Sequence, residues 1–563
     1  MTVLGVCNND VAGACLVKDG KIAAAASEER FTRVKDDSVW PTQAIEFVLK
    51  EAGLELEDVD YLAYGWNAGF DQDRHLMLYV DRIIDESRFN PRGLPYIRQR
   101  IFNELKNDKS KRREFDDYSH TNGLEGRTVY LDHHECHAVG AFACSPFDEA
   151  LVVTCDGRGD FQALTVSHYG ENDFRLLQQE TTIDSLGYFY GRITKLLGYK
   201  ANRHEGKVTG LAAFGNPEPL LPVMREMIAF KEGELRARCG PLYRPSYDGF
   251  EDEVTHLFDR ESPENVAAAA QCHTEEILAA VVEHHITAIG PSNVCLAGGV
   301  FGNVKLNQRI REVAGVRNVY VLPCMGDGGL ALAAAVGVAY QKSGTRFLKP
   351  SMKLGPNPEA FLPSSAILAK RYPDLSVSEF EDPIPELTRA LAADQVIGMV
   401  KGRMEFGPRA LCNRSIVYHA QDRSVNDWLN KRMHRTEFMP FAPVTASEHA
   451  PNCYTDWQLD HVAAEFMTMT YNCEPGFWSA SPAIVHVDGT ARPQVISKAS
   501  DPFMHRLLHA WFEESGQMAL INTSFNRHEE PIILSTDSAV EALHERIIDL
   551  VVLEERFVLR RPQ

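Results

Sequence analysis

The sequence predicts an α/β fold divided into more than one domain, and three observations carry that reading. Its 563 residues exceed the roughly 100 to 200 of a typical domain and leave room for two to four. Short apolar runs of strand length alternate with segments of helical period, the grammar of a layered sheet and helix structure. A Pro-, Gly- and Ser-rich stretch across 345–385 then separates two regions of different motif content, as interdomain connections do. With 44% hydrophobic and 24% charged residues, the chain has an ordinary globular composition and can fill several cores.

The elements follow in order. VLGVCN and ACLVKDGKIAAAASEE are apolar runs, the second broken by a Lys18-Asp19-Gly20-Lys21 turn, so strands open the fold. A helical period in TQAIEFVLKEAGL precedes a short strand, DYLAYG. From Ala150, ALVVTCDG and FQALTVSHY read as two strands around a glycine turn. VCLAGGVFGNVKLN and VYVLPCMGDGGLALAAA each run strand, glycine turn, helix, which suits two related sheets in one lobe. We place a first domain at 1–350, a linker at 351–384 and a second domain at 385–563. The second holds KGRMEFGPRALCNRSI, whose arginines we place near a strand-to-helix passage, then HRTEFMPFAPV, HVDGTARPQVI and LINTSFNRHEEPII. Heptads, low-complexity tracts and short tandem repeats are absent from the sequence. The basic run at 106–114 reads as a solvated surface.

Charge narrows the partners. A formal net charge of −20 works against a broad grip on nucleic acid or on an anionic membrane. No apolar run reaches the roughly 20 residues of a membrane span, and MTVLGVCNNDVAG lacks the pattern of a secretory signal. A cytoplasmic protein is expected. The twelve cysteines form no CxxC pair and read as reduced thiols rather than a zinc or disulfide framework.

Within DHHECHAVGAFAC, His133 and His137 stand four apart in an alanine-rich helical segment, so both imidazoles share one face. The His-Glu-x-x-His pattern of zinc proteases is not met. Asp156 closes the strand ALVVTCD, and Asp327 follows another strand in CMGDGG; both carboxylates are expected at strand ends, facing a cleft. Two histidines with one or two aspartates suit iron(II), manganese or zinc. Three glycine- or asparagine-bearing loops also follow strands: 8–10, 156–160 and 297–303. Backbone N–H groups at such turns approach anions closely, and together the loops could cradle one nucleotide. None matches the P-loop pattern.

Seven segments in fixed order now carry a resemblance: SEERFTR, DHHECHA, CDGRGD, EGKVTGLAAFGNPE, LAGGVFGN, GRMEFGPRALCNRSI and NTSFN. They resemble the O-carbamoyltransferases of the nodulation-protein U and cephamycin carbamoyltransferase family over nearly the whole chain. The resemblance implies an N-terminal lobe of the actin and sugar-kinase ATPase type and a C-terminal YrdC-like lobe. It further implies that carbamoyl phosphate is cleaved in the second lobe. Carbamate then joins ATP, with Mg²⁺, as carbamoyl adenylate, and the carbamoyl group passes to the hydroxyl of a small natural product beside an iron(II) or other divalent transition-metal ion. Nucleic acid and membrane are not implied as partners, and a homodimer is left open.

By motif, the resemblance makes His133, His137, Asp156 and Asp327 metal ligands. It makes Gly157, Lys207, Gly298, Gly299 and Asn303 nucleotide contacts. Arg403, Arg409, Arg414, Arg435, Arg492, Asn522, Ser524 and Asn526 become the carbamoyl phosphate pocket, where guanidinium forks suit a dianion. Many family members carry His-Asp in the first loop, with the histidine as general base. Here the pair is Asn9-Asp10, and asparagine cannot take a proton. Asp10, His204 or the adenylate phosphate then remains as base. A second departure is Met439, where many members have a basic residue; Lys431 or Arg432 could supply that charge. A small-molecule kinase of the same N-terminal fold would yield ADP and leaves the arginine-rich lobe unexplained. A tRNA threonylcarbamoyl-transfer enzyme would need a basic face that −20 disfavours.

Overall fold

The computed structural model describes residues 1–67, 72–170, 173–358, 364–436 and 438–562, and the side chains of 72–76, 103–109 and 252 lie outside the description. The chain forms two compact units, Met1–Ala23 with Ser38–Pro350 and Ala24–Asp37 with Ser351–Gln563.

In the first unit the opening strands are β1 (Thr2–Cys7), β2 (Gly13–Lys18) and β3 (Lys21–Ser27), followed by β4 (Tyr61–Tyr64) and β5 (Thr128–Tyr130). Asp19 and Gly20 both take positive φ between β2 and β3, the backbone a tight two-residue hairpin requires. The sheet runs β3-β2-β1-β4-β5, with β1 antiparallel to β2 and parallel to β4. After α1 (His133–Cys144) come β6 (Ala150–Gly159), β7 (Gln162–Tyr169) and β8 (Phe174–Thr181), then α2 (Leu186–Leu196), β9 (Ser292–Ala297), α3 (Val304–Arg311), β10 (Val316–Val321) and α4 (Leu330–Ser343). The second sheet runs β10-β9-β6-β7-β8. Counted from each half's first strand, both sheets have the order 3-2-1-4-5 with the same directions. The unit is therefore a duplication of strand topology that no sequence repeat announces.

The helix following each sheet's fifth strand packs on the other sheet. α1 lies on β6, β7 and β9, while α4 lies on β1, β2 and β4, and the two helices pack together. Small residues set that crossing. A Cβ at Gly140 would come within 2.6 Å of the Ala333 Cβ, and one at Gly337 within 2.7 Å of Val139 Cγ1. At Gly5 an added Cβ would sit 2.0 Å from the Ala331 carbonyl oxygen, so β1 accepts α4 only without a side chain there. The run 106–114 lies in a helix, Leu94–Thr121.

The second unit is built on an eight-stranded mixed sheet. Its strands are β11 (Ser376–Glu379), β12 (Ile397–Val400), β13 (Arg414–His419), β14 (Ala442–Ala446), β15 (Gln494–Ile496), β16 (Ala519–Ser524), β17 (Leu550–Leu553) and β18 (Phe557–Arg560). They are ordered β11-β18-β17-β12-β13-β16-β14-β15, and α5 (Pro502–Ser515) packs on β14 and β16. The stretch read from composition as a linker contains a helix, Ser365–Arg371, and the edge strand β11. Its prolines and glycines mark turns, and the apolar residues between them are enough to join a sheet. The arginine-rich segment likewise connects two strands, β12 and β13, rather than a strand and a helix. Among the described residues, no helix is long and apolar enough to cross a membrane.

Substituting Gly140→Val forces apart α1 and α4 and should destabilise the protein by roughly 1–3 kcal/mol, read as a lowered Tm. Gly126→Ala, whose Cβ meets nothing within 4 Å, should leave Tm unchanged.

Candidate metal centre and anion pocket

His133 opens α1 and His137 follows one turn later. Asp156 lies near the end of β6, and Asp327 begins the turn between β10 and α4. The swapped helix thus delivers two imidazoles of one half to a carboxylate on the first strand of the other. Nε2 of His133 lies 3.6 Å from Asp156 Oδ2 and 3.6 Å from Asp327 Oδ1. For His137 Nε2 the same separations are 3.4 and 3.5 Å. These are too long for good hydrogen bonds but match the roughly 3.4 Å edge of a tetrahedron whose arms are about 2.1 Å, the usual metal–nitrogen and metal–oxygen length. All four facing atoms are buried without a hydrogen-bond partner among the described residues, the condition a cation would relieve. The donor set, two nitrogens and two oxygens, suits iron(II), manganese or zinc.

Electrostatics agree. Burial holds the His133 imidazolium unfavourable and pushes its pKa down to about 4. Burial also acts on His137, but Asp156 and Asp327 outweigh it and hold its pKa high. Asp327 is pushed up by burial and then by the Asp156 charge, whereas burial of Asp156 is overcome by the approach of both histidines. Two facing carboxylates in a site of this kind want a proton or a cation between them.

The surroundings fix the ligands. Asp160 Oδ2 accepts the backbone N–H of His133 at 2.8 Å and that of Asn67 at 2.8 Å, holding the first turn of α1. A Cβ at Gly159 would fall 2.1 Å from the His133 ring, so glycine is required there. The Trp66 and His133 rings meet edge to face at 4.4 Å. Sequence reading assigned Asp160 no role, although its place in Cys-Asp-Gly-Arg-Gly-Asp was the available signal.

The residues expected to contact a nucleotide are tied into their own loops. The Gly157 N–H donates to Asp156 Oδ1 at 2.8 Å, and the Gly298 N–H to the Met325 carbonyl at 2.7 Å. Gly298 has φ +103, and a Cβ there would lie 2.2 Å from the Cys155 carbonyl oxygen. Gly299 sits against Asp156, its added Cβ 3.0 Å from Oδ1. Asn303 caps α3 through the Leu306 N–H and exchanges amide hydrogen bonds with Gln271. Lys207 is buried on the helix Glu205–Ala212. Asn9 is buried with its amide nitrogen unpartnered. Exposed Asp10 accepts from Asn202 Nδ2 at 3.3 Å, and Asn202 accepts from the Tyr247 hydroxyl at 2.6 Å. His204 Nδ1 accepts the Lys200 N–H at 3.3 Å. The Asp10–Asn202–Tyr247 chain had no sequence signal, because its members lie far apart in the chain.

In the second unit the guanidiniums divide into two kinds. Arg414, fully buried, donates to the carbonyls of Lys401, Gly402, Asn413 and Leu534. Arg403 donates to the Leu354 and Gly355 carbonyls, and Arg435 to Thr523 Oγ1, the Ser524 carbonyl and Asn526. Asn522 donates to Gln494 at 2.7 Å, and the Asn526 amide to the Arg527 and Glu530 carbonyls. Arg432 pairs with Asp549 at 3.2 Å, and Lys431 is exposed. Arg409 and Arg492 differ: among the described residues neither has an acidic partner. Burial lowers the Arg409 pKa to about 10, and burial, then the Arg409 charge, lowers that of Arg492. Two neighbouring half-buried cations without an acidic partner among the described residues form a site for an anion. The loop bearing Arg409 is shaped by Glu405, whose Oε1 gathers the N–H groups of Leu411, Asn413 and Arg414.

Two family models match this chain, the carbamoyltransferase N-terminus over residues 2–336 and the carbamoyltransferase C-terminus over 388–560. The chain belongs to the carbamoyltransferase family. It is 29% identical to nodulation protein NolNO of Sinorhizobium fredii over 97% of this chain and 78% of that protein. Nodulation protein U of Rhizobium tropici is 26% identical over 94% of this chain and 91% of its own length. The uncharacterized protein sll1178 of Synechocystis is 31% identical, covering 97% of this chain and 94% of its own. This carbamoyltransferase thus carries a buried four-ligand group in its N-terminal region and an unneutralised arginine pair in its C-terminal one.

His137→Ala should lower the metal retained after dialysis against a divalent transition metal, measured by elemental analysis. Equal content in both proteins would remove His137 from the ligand set.

Proposed function

We propose that the protein is an ATP-dependent O-carbamoyltransferase acting on a hydroxyl of a natural product, an antibiotic or related secondary metabolite. The observation that carries this reading is the half-buried Arg409–Arg492 pair, which suits the dianionic phosphate of carbamoyl phosphate. Hydrolysis there, in which water breaks the bond between the carbamoyl and phosphoryl groups, releases phosphate and leaves carbamate, a poor electrophile. Carbamate oxygen then displaces pyrophosphate from Mg²⁺-bound ATP, giving carbamoyl adenylate with AMP as a good leaving group. Finally the acceptor hydroxyl attacks the carbamoyl carbon, AMP departs, and the hydroxyl proton goes to a base.

The duplicated strand order of the first unit supports an actin and sugar-kinase type of ATPase lobe; a YrdC-like second lobe is part of the same reading. His133, His137, Asp156 and Asp327 would hold the metal, which we take to be iron(II). A divalent ion there supplies positive charge that stabilises the oxyanion growing on a carbonyl under attack. We assign Asp10 as the base: it is the exposed carboxylate of the first loop, oriented by Asn202, while Asn9 offers only an amide. Lys207 and the loops at Gly157, Gly298 and Gly299 would face the adenylate.

Carbamoyl phosphate, ATP and magnesium should yield pyrophosphate and an AMP-linked product, carbamoyl adenylate; ADP would instead point to a kinase. Arg492→Ala should cut kcat/KM for carbamoyl phosphate by roughly 30- to 1,000-fold, the effect of losing about 2–4 kcal/mol from one buried charged contact. An unchanged value would move the anion site elsewhere. Asp10→Asn should slow transfer to the alcohol by about 10²–10⁴-fold while the first-turnover release of pyrophosphate persists. Loss of that release as well would place Asp10 outside the transfer step.

A further inference from the structure

The second unit holds another group of metal-ligating side chains, apart from the chemistry above. His505 and His509 stand four apart on α5, which puts both imidazoles on one helical face. Glu448, in the turn after β14, meets them both. Its Oε1 lies 3.0 Å from His505 Nε2, and its Oε2 lies 3.8 Å from His509 Nε2. One donor atom from each of the three residues can be chosen so that all lie within 4.8 Å of one another. A fourth donor is adjacent: the His449 ring is 5.4 Å from that of His509 and 4.3 Å from that of Phe512, and its Nε2 is buried without a hydrogen-bond partner among the described residues.

An exposed ion pair would account for Glu448 and one histidine. It does not account for a second imidazole on the other carboxylate oxygen, or for a third beside it. Two imidazole nitrogens with one carboxylate oxygen, in a setting partly open to water, form a donor set that zinc takes readily.

We propose that Glu448, His505 and His509 form a second divalent-metal site of the zinc type, with His449 or water completing the shell. A metal there joins α5 to the turn after β14 and so braces one end of the large sheet. The site is independent of the transfer chemistry and of the His133 centre.

The test uses the full chain and Zn²⁺. Equilibrium dialysis should show wild type binding one zinc equivalent more than His509→Ala and one more than Glu448→Gln, and zinc should raise the Tm of wild type but of neither variant. His544→Ala, an exposed histidine paired with Asp374 at 3.3 Å, should behave as wild type. Because the His133 centre is common to all four proteins, its own occupancy cancels from these differences. His509 is 38% exposed and Glu448→Gln keeps shape, so the variants are expected to fold, which their zinc-free Tm checks. Equal zinc content in wild type and both variants would overturn the proposal.

Discussion

Four donor atoms, two from imidazoles and two from carboxylates, converge, each imidazole nitrogen 3.4–3.6 Å from both carboxylate oxygens, with no hydrogen bond among the described residues to satisfy them. Such a group is costly in a folded interior unless a cation completes it, and much of the first unit is arranged to make it. The strand ends must bring Asp156 and Asp327 together, α1 must cross onto the opposite sheet, and Gly159 must stay bare so that the His133 ring fits. Asp160 then ties the start of α1 to the loop after β6. The fold and the site are one construction here, since the helix exchange that buries α1 and α4 also carries the histidines to Asp156.

The second unit solves the opposite problem. The guanidiniums of Arg403, Arg414 and Arg435 donate to backbone carbonyls, so they brace loops and are spoken for. Among the described residues Arg409 and Arg492 have no such satisfaction, and Glu405 Oε1 accepts backbone N–H groups of the loop that bears Arg409. Positive charge is thus retained at one place and cancelled elsewhere, a distribution suited to an anionic reactant. The two units accordingly offer complementary chemistry, cationic recognition in one and a carboxylate–imidazole cage in the other.

Much of this was legible in the sequence. Alternating apolar runs gave the strands, and the alanine-rich context of His133 and His137 gave their helix and shared face. Strand-terminal aspartates followed from turn glycines next to them. What the sequence withheld was tertiary. The recurring strand, turn and helix grammar suggested two related sheets but not their shared strand order, and the exchange of α1 and α4 is visible only once sheets are assembled. Composition alone mistook 351–384 for a connection. Nor can spacing tell which arginine will find carbonyl partners; that depends on loops far apart in the chain, as with Arg414 and Leu534, 120 residues apart. His505 and His509 passed unnoticed because their helix reads as an ordinary amphipathic one, and Glu448 lies more than fifty residues away.

One feature of the chain path bears on how the protein can be taken apart. Residues 24–37 belong with the second unit, where Arg30 donates to the Gly407 carbonyl and Arg33 to those of Pro531 and Ile532. Dissection at residue 350 therefore yields no clean halves: the upstream fragment keeps a tongue stripped of its acceptors, and the downstream fragment loses a piece it was built around. Pieces meant for separate study would have to graft that tongue onto the later segment and close the gap left behind with a short artificial bridge.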